Sequence, residues 1–107
     1  MQSLKFAPHL VPLVLSGEKT STWRLFDDKD LQVDDELVFV NAVTGDEFAK
    51  ARITSLTVKT LGQVTPDDYD GHEKYSSPEE ALETFNKFYG GKVTLETEVK
   101  IIKFELI

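Results

Sequence analysis

Apolar side chains change parity along two long predicted strands. In the predicted strand 48–58, Ala49, Ala51 and Ile53 stand at odd positions, whereas Leu56 and Val58 stand at even positions. The predicted last strand, residues 99–106, shows the same change after Ile101. A β-bulge near residues 54–55 would bring both sets of the first strand to the interior. Such changes are typical of a small, strongly curved barrel, and the sequence therefore predicts one.

The other predicted elements complete a domain of the α+β class. Ser77-Pro78-Glu79-Glu80 carries the N-cap serine, first-turn proline and N3 glutamate that begin a helix. The further elements are a strand at 4–6, a helix at 11–16, a strand at 19–24, and a hairpin of strands 37–40 and 48–58. We predict one domain, residues 1–107, that is mainly β with α. It should contain a small curved β-barrel of about five to six strands and two main helices.

Composition and charge exclude several classes of function. The sequence has no cysteine, which excludes disulfides, thiolate zinc sites and catalytic thiols. His9 and His72 do not have zinc-motif spacing, and the glycine-rich loops that bind nucleotide phosphates are absent. We therefore predict neither a metal nor a cofactor. The N-terminus lacks the pattern of a signal peptide and no apolar run approaches the length of a membrane span, so we expect a cytoplasmic protein with no membrane partner.

The formal net charge is −7, with a sequence pI of about 4.7. That sign is unfavourable for a protein that binds a long phosphate backbone by bulk electrostatic attraction. A small local basic site is still compatible with it. The charge therefore favours a ligand that is small or is recognised locally.

Hydrogen-bond donors are concentrated between Gly17 and Arg24. Gly17 follows a short apolar run and is expected to end the first helix. In an extended strand, Thr20, Thr22 and Arg24 share one face. Lys19 lies at the beginning of that strand, where the backbone can direct it to either face. Lys19 and this face of the strand thus offer one ammonium, two hydroxyls and one guanidinium within six residues.

This stretch, read as G-x-K-T-x-T-x-R after an apolar helix, resembles the signature of the ASCH domain family. The resemblance implies a PUA-like β-barrel fold over almost the whole chain. The family includes small bacterial amidohydrolases that cleave N4-acetylcytidine, and domains proposed to bind RNA. In those amidohydrolases a lysine, a threonine and a glutamate form the catalytic site. The matching positions here are Lys19, Thr22 and Glu73, with Asp70 as an alternative to Glu73.

The chemistry of the residues agrees with such a site, although each residue also has a structural interpretation. A threonine hydroxyl is a weak nucleophile until a base removes its proton, and a lysine is a base only when its pKa falls well below about 10.4. Burial and a neighbouring cation such as Arg24 act in that direction. In the structural interpretation, Lys19 is a solvated residue at the beginning of a strand and Thr22 is present because threonine favours strands. Arg24 would then pair with an aspartate. We expect neither Lys19 nor Thr22 to be a core residue.

Further residues are candidates for binding the substrate. Thr20 would bond the ligand or line the cleft, and Arg24 would hold a phosphate or carbonyl oxygen. Phe26 and Tyr75 flank the candidate site in sequence, and either ring would stack on a nucleobase. Trp23 is instead expected on the opposite face, packed against a helix. Glu73 would orient Lys19 and pass a proton to the leaving amine.

Two main functions therefore remain open, beside a third in which the chain is a regulatory domain for an unidentified small ligand. The first is an amidohydrolase that removes an acyl group from a modified nucleoside such as N4-acetylcytidine. The second is a binding module that holds a nucleoside, a modified base or single-stranded RNA without turnover. We favour the enzyme, because the segment supplies a nucleophile, a base and a cation together.

Overall fold

A computed structural model describes residues 2–26, 29–65, 68 and 78–107. Over these residues the chain forms strands, two α-helices and short 3-10 turns at Pro8–Leu10 and Leu61–Gln63. The main elements are β1 (Gln2–Phe6), α1 (Val11–Ser16), β2 (Ser21–Leu25), β3 (Glu36–Asn41), β4 (Glu47–Thr60), α2 (Pro78–Tyr89) and β5 (Glu98–Leu106). Within the described part of the chain, no helix is long and apolar enough to cross a membrane.

The strands form one mixed sheet in the order β1-β3-β4-β5-β2, curled into a half-barrel. The pairing of β1 with β3 is parallel, and the other three pairings are antiparallel. The register between β4 and β5 shifts between Ile53 and Ser55, which confirms the predicted bulge. A second shift occurs between Phe39 and Val40 of β3. The predicted class, mainly β with α and with two main helices, is therefore confirmed.

Two hydrophobic clusters lie on opposite faces of the sheet. The cluster inside the half-barrel includes Phe6, Phe39 and Phe104. The other lies between the sheet and α2 and includes Trp23 and Phe85. This arrangement corrects one detail of the expectation from sequence. The apolar residues on the two sides of the parity change in β5 do not share one interior. Val99 and Ile101 belong to the α2 cluster, while Ile102 and Phe104 belong to the barrel cluster.

The end of α1 determines where β2 begins. Gly17 has φ +84°, a left-handed conformation, and its N–H donates to the carbonyl of Val14 at 3.2 Å. The N–H of Lys19 then donates to the carbonyl of Leu13 at 3.0 Å, so Lys19 is still bonded to the helix. For this reason the strand begins at Ser21, two residues later than predicted. Lys19 is thereby held in the connection between helix and strand.

Helix α2 covers the outer face of the sheet. It is described from Pro78 onward, its predicted N-cap Ser77 lies outside the described residues, and its residues Ala81 and Phe85 are buried. Gly90 and Gly91 both adopt positive φ and donate their N–H groups to the carbonyl of Asn86. The glycine pair therefore ends the helix directly after Tyr89, which fixes Tyr89 at the helix C-terminus.

Candidate functional site

A cleft of about 630 Å³ lies between the turn after β1, the beginning of β2 and the C-terminal half of α2. Lys19, Thr22 and Arg24 all line it, although they come from the connection before β2 and from the strand itself. The wall contributed by α2 consists of Thr84, Phe85 and Tyr89, and the turn after β1 contributes His9 and Leu10. The structure thus brings three of the predicted site residues to one concave surface.

Lys19 and Thr22 are buried, with exposed fractions of 4% and 5%. The expectation that neither is a core residue is therefore wrong. The sequence could not report that α2 residues far along the chain, among them Phe85 and Tyr89, line the same cleft as Lys19 and Thr22. Within the described ranges, the buried polar or charged residues are Lys19, Ser21 and Thr22. An ammonium and a hydroxyl withdrawn from water in this way must be compensated by partners, which makes such positions typical of functional sites.

Arg24 joins two strands that are not neighbours in the sheet order. Its Nη2 donates to the main-chain carbonyl of Lys5 in β1 at 2.8 Å, while Arg24 itself belongs to β2. The guanidinium carbon also lies 5.0 Å from the centroid of the Phe6 ring, which is a cation–π contact. Arg24 therefore has a structural role across the opening of the half-barrel, in addition to lining the cleft.

Aromatic side chains form the wall of the cleft next to α2. The rings of Trp23 and Phe85 are stacked at 6.1 Å with an angle of 12° between their planes, which confirms that Trp23 packs on a helix. Trp23 is nevertheless one of the residues that line the cleft, so the expectation that it lies away from the site is wrong. The Tyr89 hydroxyl accepts a hydrogen bond from the N–H of Leu25 at 3.4 Å. Phe26 meets the Tyr89 ring edge-on at a centroid distance of 5.5 Å. Flat apolar surfaces with one polar atom are suited to a planar heterocycle.

The other predicted site residues have different positions. Thr20 is exposed and does not appear among the described residues that line the cleft. Phe26 is 58% exposed and lines smaller grooves beside Arg24. Glu73, its alternative Asp70, and Tyr75 lie outside the described residues. The catalytic and binding roles of all these residues, like those of Lys19, Thr22 and Arg24, stay predictions.

Sequence reasoning did not identify several residues of the cleft. In sequence, His9 has no metal-motif spacing, and Tyr89 continues an apolar stripe at helical spacing that includes Ala81 and Phe85. Lys5 and Thr84 carried no motif at all. The one available signal was the hydroxyl of Tyr89 at the end of an apolar stripe, because a buried tyrosine hydroxyl needs a hydrogen-bond partner.

The side chain of Asp68, the last described residue before Glu73 in the sequence, is held by hydrogen bonds. Its Oδ2 accepts from Lys59 Nζ at 2.9 Å, from the Thr65 N–H at 2.7 Å and from the Thr65 hydroxyl at 3.1 Å. Burial by itself would raise the pKa of Asp68, but these donors outweigh it and hold the pKa below its ordinary value of 3.8. The carboxylate thus links residue 68 to β4.

No protein-family model matches the chain, and no curated protein matches it. Solved structures, by contrast, do match the chain. Protein EF3133 from Enterococcus faecalis V583, of family DUF984, has a TM-score of 0.75 at 18% identity, with 92% of this chain and 70% of that chain covered. An ASCH domain from Lactobacillus crispatus JV V101 has a TM-score of 0.75 at 19% identity, with 98% and 78% covered.

An ASCH protein from Zymomonas mobilis is similar over 96% of this chain and 65% of its own, with a TM-score of 0.68 at 10% identity. Identities at this level show the fold alone. The resemblance to ASCH domains that the sequence indicated is thus confirmed for the fold.

Proposed function

We propose that this protein is an amidohydrolase that removes an acyl group from a modified nucleoside such as N4-acetylcytidine. The observation that carries the proposal is the burial of Lys19 and Thr22 beside Arg24 in a single cleft. A nucleophile, a base and a cation are the parts that acyl transfer requires. Lys19 and Thr22 also match the lysine and the second threonine of the motif in the resembling amidohydrolases.

The size and lining of the cleft support a nucleoside as the substrate. Its volume of about 630 Å³ falls within the range of roughly 300–1,000 Å³ that small-molecule sites have. Phe85 and Tyr89 offer aromatic surface on one side of it, and Arg24 offers a cation on another. A pyrimidine ring would lie against the aromatic wall, with its acyl group directed toward Lys19 and Thr22.

The reaction would proceed in two steps. Neutral Lys19 takes the proton from the Thr22 hydroxyl, and the Thr22 oxygen attacks the acyl carbonyl carbon. The carbonyl electrons pass to the oxygen, where Arg24 or main-chain N–H groups stabilise the negative charge. As the C–N bond breaks, the amine receives a proton and cytidine leaves. Water then attacks the acyl-threonine, which releases acetate and restores the hydroxyl.

Glu73 has a role in this scheme through the resemblance alone. It would orient Lys19 and relay the proton to the leaving amine. We also propose a cytoplasmic location and a small-molecule partner.

Incubation of the pure protein with N4-acetylcytidine tests the proposal directly. We expect cytidine and acetate in equal amounts, separated by chromatography. The variants Lys19→Met and Thr22→Val keep the size of each side chain and remove its chemistry, so both should be inactive. Lys50→Gln changes an exposed lysine of β4 and is the matched control with unchanged turnover.

The alternative is a binding module with the same cleft and no turnover. Recovery of intact N4-acetylcytidine, together with saturable binding of cytidine in calorimetry, would replace the amidohydrolase by this alternative. The aromatic wall favours it as much as it favours the enzyme. The burial of Lys19 and Thr22 does not favour the binding module, because a binding site for a neutral base has no need of a buried ammonium and a buried hydroxyl in the same cleft.

A further inference from the structure

A second groove, of about 330 Å³, opens beside the cleft. We name it the Phe26 groove, and its polar and aromatic lining residues are Ser3, Lys5, Arg24, Phe26, Lys29 and Tyr89. Three of them, Lys5, Arg24 and Tyr89, also line the cleft. The two concavities are therefore adjacent, and one ligand can extend from the cleft into the groove.

The Phe26 groove is basic in a protein that is acidic overall. The whole chain has 12 basic and 19 acidic residues. By contrast, Lys5, Arg24 and Lys29 line the groove, and none of its described lining residues is acidic. Lys100 adds a further ammonium beside it, because Lys100 Nζ donates to the main-chain carbonyl of Lys29 at 2.9 Å. Such a local concentration of cations against the net charge favours an anionic ligand.

Phe26 gives the groove an exposed aromatic surface. Its side chain is 58% exposed, and its backbone has φ +54°, a left-handed conformation that a phenylalanine rarely adopts. Burial of apolar area does not explain this position, because the ring contributes little to either core. The edge-on contact with Tyr89 holds the ring at the boundary between groove and cleft. An exposed ring next to cations is the combination that binds nucleotides.

We propose that the Phe26 groove binds the phosphate of a nucleotide whose base occupies the cleft. The proposal rests on the proposed function for the identity of the base, and it changes the preferred substrate from a nucleoside to its phosphate ester. Lys5 and Lys29 contact the phosphate oxygens, and Arg24 lies between base and phosphate. Phe26 covers the sugar or a following base. A monophosphate and a phosphodiester share this chemistry.

Calorimetry with three ligands tests the groove independently of turnover. The ligands are cytidine, cytidine 5′-monophosphate and the dinucleotide of two cytidines joined by a 3′,5′-phosphodiester. At low salt we expect a phosphate-bearing ligand to bind about tenfold more tightly than cytidine, because two or more charge-assisted contacts are added. The advantage should decrease in 0.5 M NaCl, since exposed charges are screened. The dinucleotide distinguishes the phosphodiester from the monophosphate.

Variants of one lysine make the test specific. In Lys29→Gln the ratio of nucleotide affinity to cytidine affinity should fall about three- to fivefold. Lys29→Arg should retain most of the ratio, because it keeps the charge. Lys50→Gln, which changes an exposed lysine of β4 outside the groove, should leave the ratio as it is. An equal fall in Lys50→Gln would show only a general charge effect and would overturn the proposal.

The two proposals fail in different ways. Turnover of N4-acetylcytidine with equal affinities for cytidine and both phosphate-bearing ligands overturns the groove and leaves the amidohydrolase. Tighter nucleotide binding that depends on Lys29, without any turnover, supports the groove and rejects the amidohydrolase. Absence of both turnover and binding overturns both.

Discussion

The guanidinium of Arg24 bonds the main-chain carbonyl of Lys5 at 2.8 Å and thereby connects β2 to β1. These two strands are at opposite ends of the sheet order, and the curvature of the sheet brings their edges together. The same guanidinium lines both the cleft and the Phe26 groove. One side chain thus links the stability of the half-barrel to the shape of the candidate site.

Replacement of Arg24 should therefore affect stability as well as function. Arg24→Met keeps much of the length of the side chain but loses the bond to Lys5 and the cation–π contact with Phe6. We expect a loss of about 1–3 kcal/mol in the free energy of unfolding, measured by urea denaturation. The KM for N4-acetylcytidine should rise too.

Arg52→Met is the matched control for that variant. Arg52 forms an exposed ion pair with Glu36 at 3.7 Å, and such pairs contribute less than about 1 kcal/mol. If both variants lost the same stability, the bond between β2 and β1 would have no special importance.

Lys19 and Thr22 should be required for turnover but not for the fold. Lys19→Met replaces a buried ammonium by an apolar chain of similar length, and Thr22→Val replaces a buried hydroxyl by a methyl group. Each should abolish turnover, and the double variant should be little worse than either, because the two residues act as a unit. Circular dichroism and urea denaturation check that each variant is folded. Full activity of Thr22→Val would eliminate the covalent route and leave a directly activated water.

Asp68 should make stability depend on pH in the acidic range. Because its pKa is lowered in the folded state, its contribution is fully present above its ordinary value of 3.8 and is lost as the pH falls through the lower folded value. Asp68→Asn should therefore be less stable than the unmodified protein by about 1 kcal/mol at pH 7. The difference should diminish at about pH 3. Urea denaturation at both pH values measures it.

Asp30→Asn is the comparison for Asp68, since Asp30 is an exposed aspartate in the connection between β2 and β3. Its effect should be small at either pH. A difference between Asp68→Asn and the unmodified protein that stayed constant from pH 7 to pH 3 would mean that the charge of Asp68 is unimportant.

Single-stranded RNA should bind weakly and with little dependence on salt. The chain has a net charge of −7, so we expect few counterions to be displaced, chiefly by the local cations of the Phe26 groove. With one or two phosphates contacted, the slope of log K against log salt should be about −0.7 to −1.4. Titration of labelled RNA at two salt concentrations measures it. Tight binding with a much steeper slope would favour an extended RNA surface and the binding module.

The local sequence was sufficient to predict several structural elements. The end of α1 at Gly17 and the end of α2 at Gly90 were predictable, because a helix end depends on residues within one turn of it. The bulge of β4 was predictable as well, since it is visible as a change of parity between Ile53 and the apolar residues that follow. The segment that carries Lys19, Thr22 and Arg24 was likewise evident from its donors and from its resemblance to ASCH domains.

Only the tertiary structure decided what surrounds that segment. The contact between Arg24 and Lys5, the position of Tyr89 at the cleft, and the burial of Lys19 all depend on how the sheet curls and where α2 lies on it. The hydrogen bonds from Arg24 to Lys5 and from Leu25 to Tyr89 join residues 19 and 64 positions apart, and no local pattern records such pairings. The physical reason is that helix caps and strand parity depend on neighbouring residues, whereas a cleft is created by the packing of distant elements.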